Sequence, residues 1–184
     1  MVPTLSLWLP VLLSAAAAFA ASTVIHMLLG YHSRDYKRAP DEDGLLEALR
    51  GFDLAPGDYV APKADSVKEM GSEEFRATAE RGPSVMLSVM PPGTGMSKQM
   101  TLWFLYCAVV SIFAGYVAAM ANGPGAEYMD VFRYASITAF AGYALGAPIR
   151  SIWFGQSWGT TARNMLDGLI YALLTGGVFG WLWP

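Results

Sequence analysis

The sequence predicts an all-α membrane protein, with four transmembrane helices and a small mixed α/β loop domain between helices 1 and 2. Three observations predict it. Of 184 residues, 54% are hydrophobic and only 15% charged, against about 25% charged in an ordinary soluble domain. The charge is also partitioned. No Asp, Glu, Lys or Arg occurs in 1–33, 99–126, 134–149 or 168–184, whereas 21 of the 27 charged residues lie in 34–98. A charge at a bilayer centre costs about 2.5–3.5 kcal/mol on insertion scales, which explains such segregation. Finally, Trp8, Trp103, Trp153, Trp158, Trp181 and Trp183 fall near the ends of the apolar stretches, where interfacial aromatic belts lie.

The first transmembrane helix is expected over 1–30, its regular part from about residue 5. Pro3 and Pro10 sit near its start, where a missing N–H does least harm. Its "AAAAFAAST" offers A-x-A patterns like a signal-peptidase site. No positive n-region precedes it, however, and the apolar run continues through "VIHMLLG", so an uncleaved helix is expected. Residues 99–184 carry helices 2–4. The second covers about 99–121 and ends at the breaker "NGPG". The third covers about 129–149. Its charge-free core of 16 residues spans about 24 Å, short of a 30 Å hydrocarbon layer unless Arg133 and Arg150 snorkel to the interfaces. The fourth runs from about 164 to 183, with Asp167 in its first turns.

Residues 31–98 form the extramembrane loop domain. "PDEDGLLEALRGF" places Leu45, Leu46 and Leu49 on one helical face behind Asp41. "GDYVAP" reads as a short strand. Ser66 and Glu69 have capping-box spacing, and a helix from about Ser72 stops at Gly82-Pro83. "PSVMLSVMPPG" alternates like a strand. Two short helices and one hairpin-like pairing are expected, with too few residues for a large independent core. Lys and Arg counts near the helix ends set orientation. Arg34, Lys37, Arg38, Lys98, Arg150 and Arg163 lie on one side and Arg133 alone on the other. Both termini are therefore expected in the periplasm and the loop domain in the cytoplasm.

The formal net charge of −3 and pI near 5.3, without a basic stripe, speak against nucleic acid as a partner. The partners expected are the lipid bilayer, with a homo-oligomer or another membrane protein left open. The single cysteine, Cys107, excludes an internal disulfide framework and reads as a buried structural thiol. No metal and no cofactor are expected. His26 is a candidate haem or metal ligand, or proton relay; its alternative is an interfacial histidine. His26 and His32 stand about 240° apart on a continued helix and do not share a face. Met86 and Met90, with Met96 and Met100, offer soft thioethers for Cu(I), but methionine is also an adaptable filler. Arg163 and Asp167 are an i,i+4 pair that stabilises a helix; with His26 and Arg150 they are also the intramembrane polar candidates for an ion path. Gly142 and Gly146, like Gly176 and Gly180, form GxxxG pairs that allow close helix packing. GxxxxGK[ST], HExxH, GxSxG and CxxC are absent, and no catalytic constellation is visible.

The segments "SAAAAFAASTVIHMLLGYHSRDYKRAPDED", "PGDYVAPKADSVKEMGSEEF", "GPSVMLSVMPPG" and "SIWFGQSWGTTARNMLDGLIYALLTGGVFGWLWP" resemble an uncharacterised family of small bacterial four-helix integral membrane proteins. The resemblance implies a bacterial inner-membrane location and brings no activity, cofactor or residue role. The expected function is a non-enzymatic accessory or scaffold subunit. The alternatives are an oligomeric transporter or channel component lined by Asp167, Arg150 and His26, and a haem- or copper-binding membrane protein using His26 and methionines.

Overall fold

The structure, a computed structural model, describes residues 2–93 and 95–184. In chain order its elements are α1 (Trp8–Val24), α2 (Glu42–Gly51), β1 (Gly57–Ala61), α3 (Val67–Met70), α4 (Glu73–Arg81), β2 (Val85–Val89), α5 (Met96–Ala121), α6 (Tyr128–Tyr143), α7 (Pro148–Phe154) and α8 (Trp158–Trp181). The chain divides into two compact units, Arg38–Gly95 and Met1–Lys37 with Met96–Pro184.

The smaller unit is built on side-chain caps. Asp41 accepts from Gly44 N–H at 3.0 Å to start α2. Ser66 and Ser72 do the same for α3 and α4, accepting from Glu69 and Phe75 N–H. β1 and β2 pair antiparallel, with Tyr59 opposite Leu87. The expected pairing thus forms, but α3 and α4 lie between its strands, and there are three helices rather than two. None of this unit's described residues is fully buried, in keeping with its length.

In the larger unit, α1 and α6 each pack against both α5 and α8, so the four long helices form a ring. Its interior is made largely of small side chains, with Leu7, Val131, Tyr171 and Phe179 among the bulky exceptions. Ala15, Ala18, Ala114, Ala118, Ala135, Ala139, Ser14, Ser111 and Thr175 are buried, while Leu12, Leu105, Ile112, Phe113, Ile137, Leu166 and Leu173 face outward. Glycines bring the closest pair together. A Cβ on Gly168 would stand 2.8 Å from Ala144 Cβ, one on Gly176 would strike the Ser136 hydroxyl, and one on Gly180 would stand 2.7 Å from the Tyr128 ring. With Ala172 these positions repeat every four residues, a ridge of minimal height along which α6 runs antiparallel to α8.

Two helical segments, Leu5–Leu29 and Met96–Ala121, are long and apolar enough to cross a membrane. Four such segments were expected. The third expected helix ends early, at Tyr143, because Pro148 can donate no hydrogen bond back to Ala144 and its ring crowds that carbonyl; the chain turns through 144–147 and restarts as α7 with Pro148 at its first position. What remains, α6, has 16 residues. The fourth begins earlier than expected, at Trp158 behind the Ser157 cap, and Asn164, Asp167, Thr175 and several glycines dilute its apolarity. Of the two GxxxG pairs, Gly176–Gly180 packs throughout. Gly142 meets Val110 at 3.0 Å, but Gly146 lies in the turn beyond α6 with nothing within 4 Å of a Cβ.

Gly176→Val is expected to lower stability by about 1–3 kcal/mol through overpacking, whereas Gly146→Ala should change it by less than about 0.5 kcal/mol. Thermal unfolding of the detergent-solubilised protein measures both.

Candidate functional site

Gly30 decides where the two histidines point. The first helix ends in a π-helical turn, Ile25–Leu29, and Gly30 then takes φ 63° and ψ 3°, a left-handed conformation that glycine adopts without a Cβ clash. The chain leaves the helix axis and makes a 3-10 turn, Tyr31–Arg34, in which Ser33 N–H donates to Gly30 O at 3.1 Å and Asp35 N–H to His32 O at 3.0 Å. Such a turn eclipses residues i and i+3. His32 Nδ1 therefore lies 2.5 Å from Asp35 Oδ2. The same reversal folds His32 back over His26, with ring centroids 4.4 Å apart. The expectation that the two histidines diverge is overturned, because the helix that would separate them stops between them.

The other half of the site comes from α8. Thr160, Arg163 and Asp167 are spaced i, i+3, i+7 and share a face. Arg163 does not take its i+4 neighbour as partner. Its Nε donates to Asp35 Oδ1 at 2.6 Å, and a second guanidinium nitrogen pairs with the same oxygen. The Thr160 hydroxyl donates to that oxygen at 3.2 Å. Asp167 stands nine positions beyond Trp158, about two and a half turns into the helix, deeper than the first turns expected. Tyr31 donates its hydroxyl to Asp167 Oδ1. His32 Nε2 lies 2.7 Å from Asp167 Oδ2, and His26 Nε2 lies 3.7 Å from the same oxygen.

The two carboxylates are withdrawn from solvent, with side-chain exposures of 6% for Asp35 and 5% for Asp167. Burial pushes the Asp35 carboxyl up, but hydrogen bonds from His32 and Arg163 outweigh it and hold the group below the usual carboxylate range. Asp35 is thus an anion, and the His32 nitrogen facing it carries a hydrogen. One guanidinium balances one of the two carboxylates.

A half-open cleft of about 750 Å³ adjoins the cluster, and His26 and Asp167 form part of its wall. Its aromatic side is Trp103, Tyr106, Tyr143 and Tyr171, in contact edge to face or stacked at centroid separations of 5.5–6.2 Å. Trp103 Nε1 donates to Ser22 Oγ at 2.7 Å and Tyr106 to Gly142 O at 2.6 Å, which fixes two of these rings. The Tyr171 hydroxyl is different. The residue is 3% exposed and its oxygen has no hydrogen-bond partner among the described residues.

Of the residues singled out in the sequence, the fold brings His26, Arg163 and Asp167 together. Arg150 is exposed on α7 and stands outside this network. Met86 and Met90 lie in the other unit, four residues apart along and just past β2, hence about 13 Å apart, too far to bind one ion together. Sequence reasoning missed Tyr31, His32, Asp35 and Thr160. The signal for the first three was Gly30 at the end of an apolar run, a helix stop that frees the following residues to turn back. No comparable signal marked Thr160.

Arg163→Met should cost about 2–4 kcal/mol, since it leaves a buried carboxylate without its cation, and Arg163→Met with Asp35→Leu should recover part of that loss. Chemical denaturation in mild detergent provides the comparison. No family model, curated protein or solved structure matches the chain.

Proposed function

We propose that the chain is a multi-pass bacterial inner-membrane protein that holds a small, largely apolar molecule with a hydrogen-bonding head group in the cleft beside His26 and Asp167. The observation that carries this reading is the cleft itself, where His26 and Asp167 stand against the aromatic side chains of Trp103, Tyr106 and Tyr143. The volume of about 750 Å³ falls in the range of ligand sites, about 300–1,000 Å³, and a mostly aromatic lining with a few convergent polar groups is their usual composition. A scaffold subunit gives no reason for such a cleft.

The membrane reading is supported by the inverted packing. In the two long apolar segments only 28% and 39% of the apolar window is buried within the protein, whereas the core helix of a water-soluble fold is mostly covered. Outward Leu, Ile and Phe with inward Ala, Ser and Gly suit a lipid solvent, which removes any penalty for exposing large apolar side chains and leaves close packing to drive association. On this reading α6 and α8 cross alongside α1 and α5, both termini face the periplasm, and the unit Arg38–Gly95 faces the cytoplasm.

A long-chain alcohol bearing a diazirine is expected to label peptides containing Met100 and Trp103 on irradiation in native membranes. Gly146→Phe, which fills the cleft from an uncrowded position, should abolish that labelling. Equal labelling of Gly146→Phe and the parent would overturn the cleft assignment. For topology, Glu74→Cys should resist an impermeant maleimide in intact spheroplasts and react after lysis, and a C-terminal alkaline phosphatase fusion should be active.

A further inference from the structure

The geometry points to a second ligand at the same end of the bundle: His26, His32 and Asp167 form a binding site for one divalent first-row transition-metal ion. One ring nitrogen each of His26 and His32 and one Asp167 carboxylate oxygen all lie within 4.8 Å of one another. Donors about 2.0–2.2 Å from a common ion stand roughly 3–3.4 Å apart for angles between octahedral and tetrahedral. The separations of 2.7 Å and 3.7 Å to Asp167 Oδ2 bracket that range.

The surroundings are those of a metal-ligating histidine. Such a ligand commonly donates its other ring N–H to a carboxylate, which fixes tautomer and ring plane. Asp35 accepts from His32 Nδ1 at 2.5 Å and is itself held by Arg163 and Thr160. Nε2 is then the ring atom that faces Asp167, 2.7 Å from its Oδ2. Tyr31 secures the other oxygen of Asp167. Two imidazoles and one carboxylate favour Zn²⁺, Fe²⁺ or Co²⁺ over Ca²⁺ or Mg²⁺, and three protein ligands leave positions open. Those positions face the cleft, whose wall includes His26 and Asp167. The site does not depend on what else the cleft holds.

The test uses the full chain in detergent, free of any polyhistidine tag, stripped with chelator and titrated with Co²⁺. One Co²⁺ per chain with visible ligand-field absorption is expected, displaced by Zn²⁺. His26→Gln, at a half-exposed position that the fold tolerates, should weaken binding at least about tenfold, and Asp35→Asn, which removes no ligand, about 10–100-fold. A stripped parent protein that binds no Co²⁺, or binding that neither substitution alters, would overturn the assignment. Labelling of the cleft by the photoreactive alcohol is scored separately, so either ligand can fail without the other.

Discussion

The Asp35 carboxylate ties the exit of the first helix to the start of α8, and the arrangement at this end of the larger unit follows from that tie. Asp35 accepts from the His32 ring on one oxygen and from Arg163 and Thr160 on the other. Partners from both sides of the chain's long excursion therefore meet on one group. A buried anion has few ways to be satisfied, and each of its partners is held in a narrow geometry as a result. With Asp35 fixed, the imidazole of His32 is fixed, and its far nitrogen reaches Asp167. Gly30 makes this possible at the level of the backbone, and α8 presents the receiving face through a spacing that any regular helix imposes.

The packing of the bundle obeys a different constraint. Helix pairs approach closely where side chains are smallest, as along Gly168, Ala172, Gly176 and Gly180 on α8, and dispersion between backbones replaces the burial of bulky groups. Such a core has little room to hide polar atoms, yet several are present. Ser14 and Thr175 turn back onto their own helices, donating to Pro10 O at 2.6 Å and Tyr171 O at 2.8 Å. Ring hydroxyls reach across instead, and they gather on one side of the cleft. Buried polar side chains thus run along the bundle, from Thr160 and Asp167 beside the cluster to Thr175, Ser136 and Asn122.

The long apolar elements were legible in the sequence because charge segregation is a property of whole segments. Met96–Ala121 begins within three residues of the start expected for it, and the caps of α2, α3 and α4 were readable from Asp41, Ser66 and Ser72. The break at Pro148 was visible in principle; the charge-free run through it masked the missing donor. The site was half legible. His26, Arg163 and Asp167 stood out as polar residues in apolar surroundings, a local property. Their assembly with His32 and Asp35 is not local. It turns on one glycine whose dihedral angle changes which residues meet, and extrapolating a helix past Gly30 hid it. Thr160 is an ordinary residue in an ordinary first turn, and only the arrival of Asp35 gives it a role.

The inverted interior carries an evolutionary consequence. In a water-soluble fold, positions facing solvent drift freely and the core resists change. Here the outward surface accepts one bulky hydrocarbon side chain in place of another, while the inward alanines and glycines that set the closest contacts have few replacements beyond each other and serine. Divergence in this lineage should thus run fastest among its largest side chains and slowest among its smallest, so that glycine and alanine positions keep the record of descent.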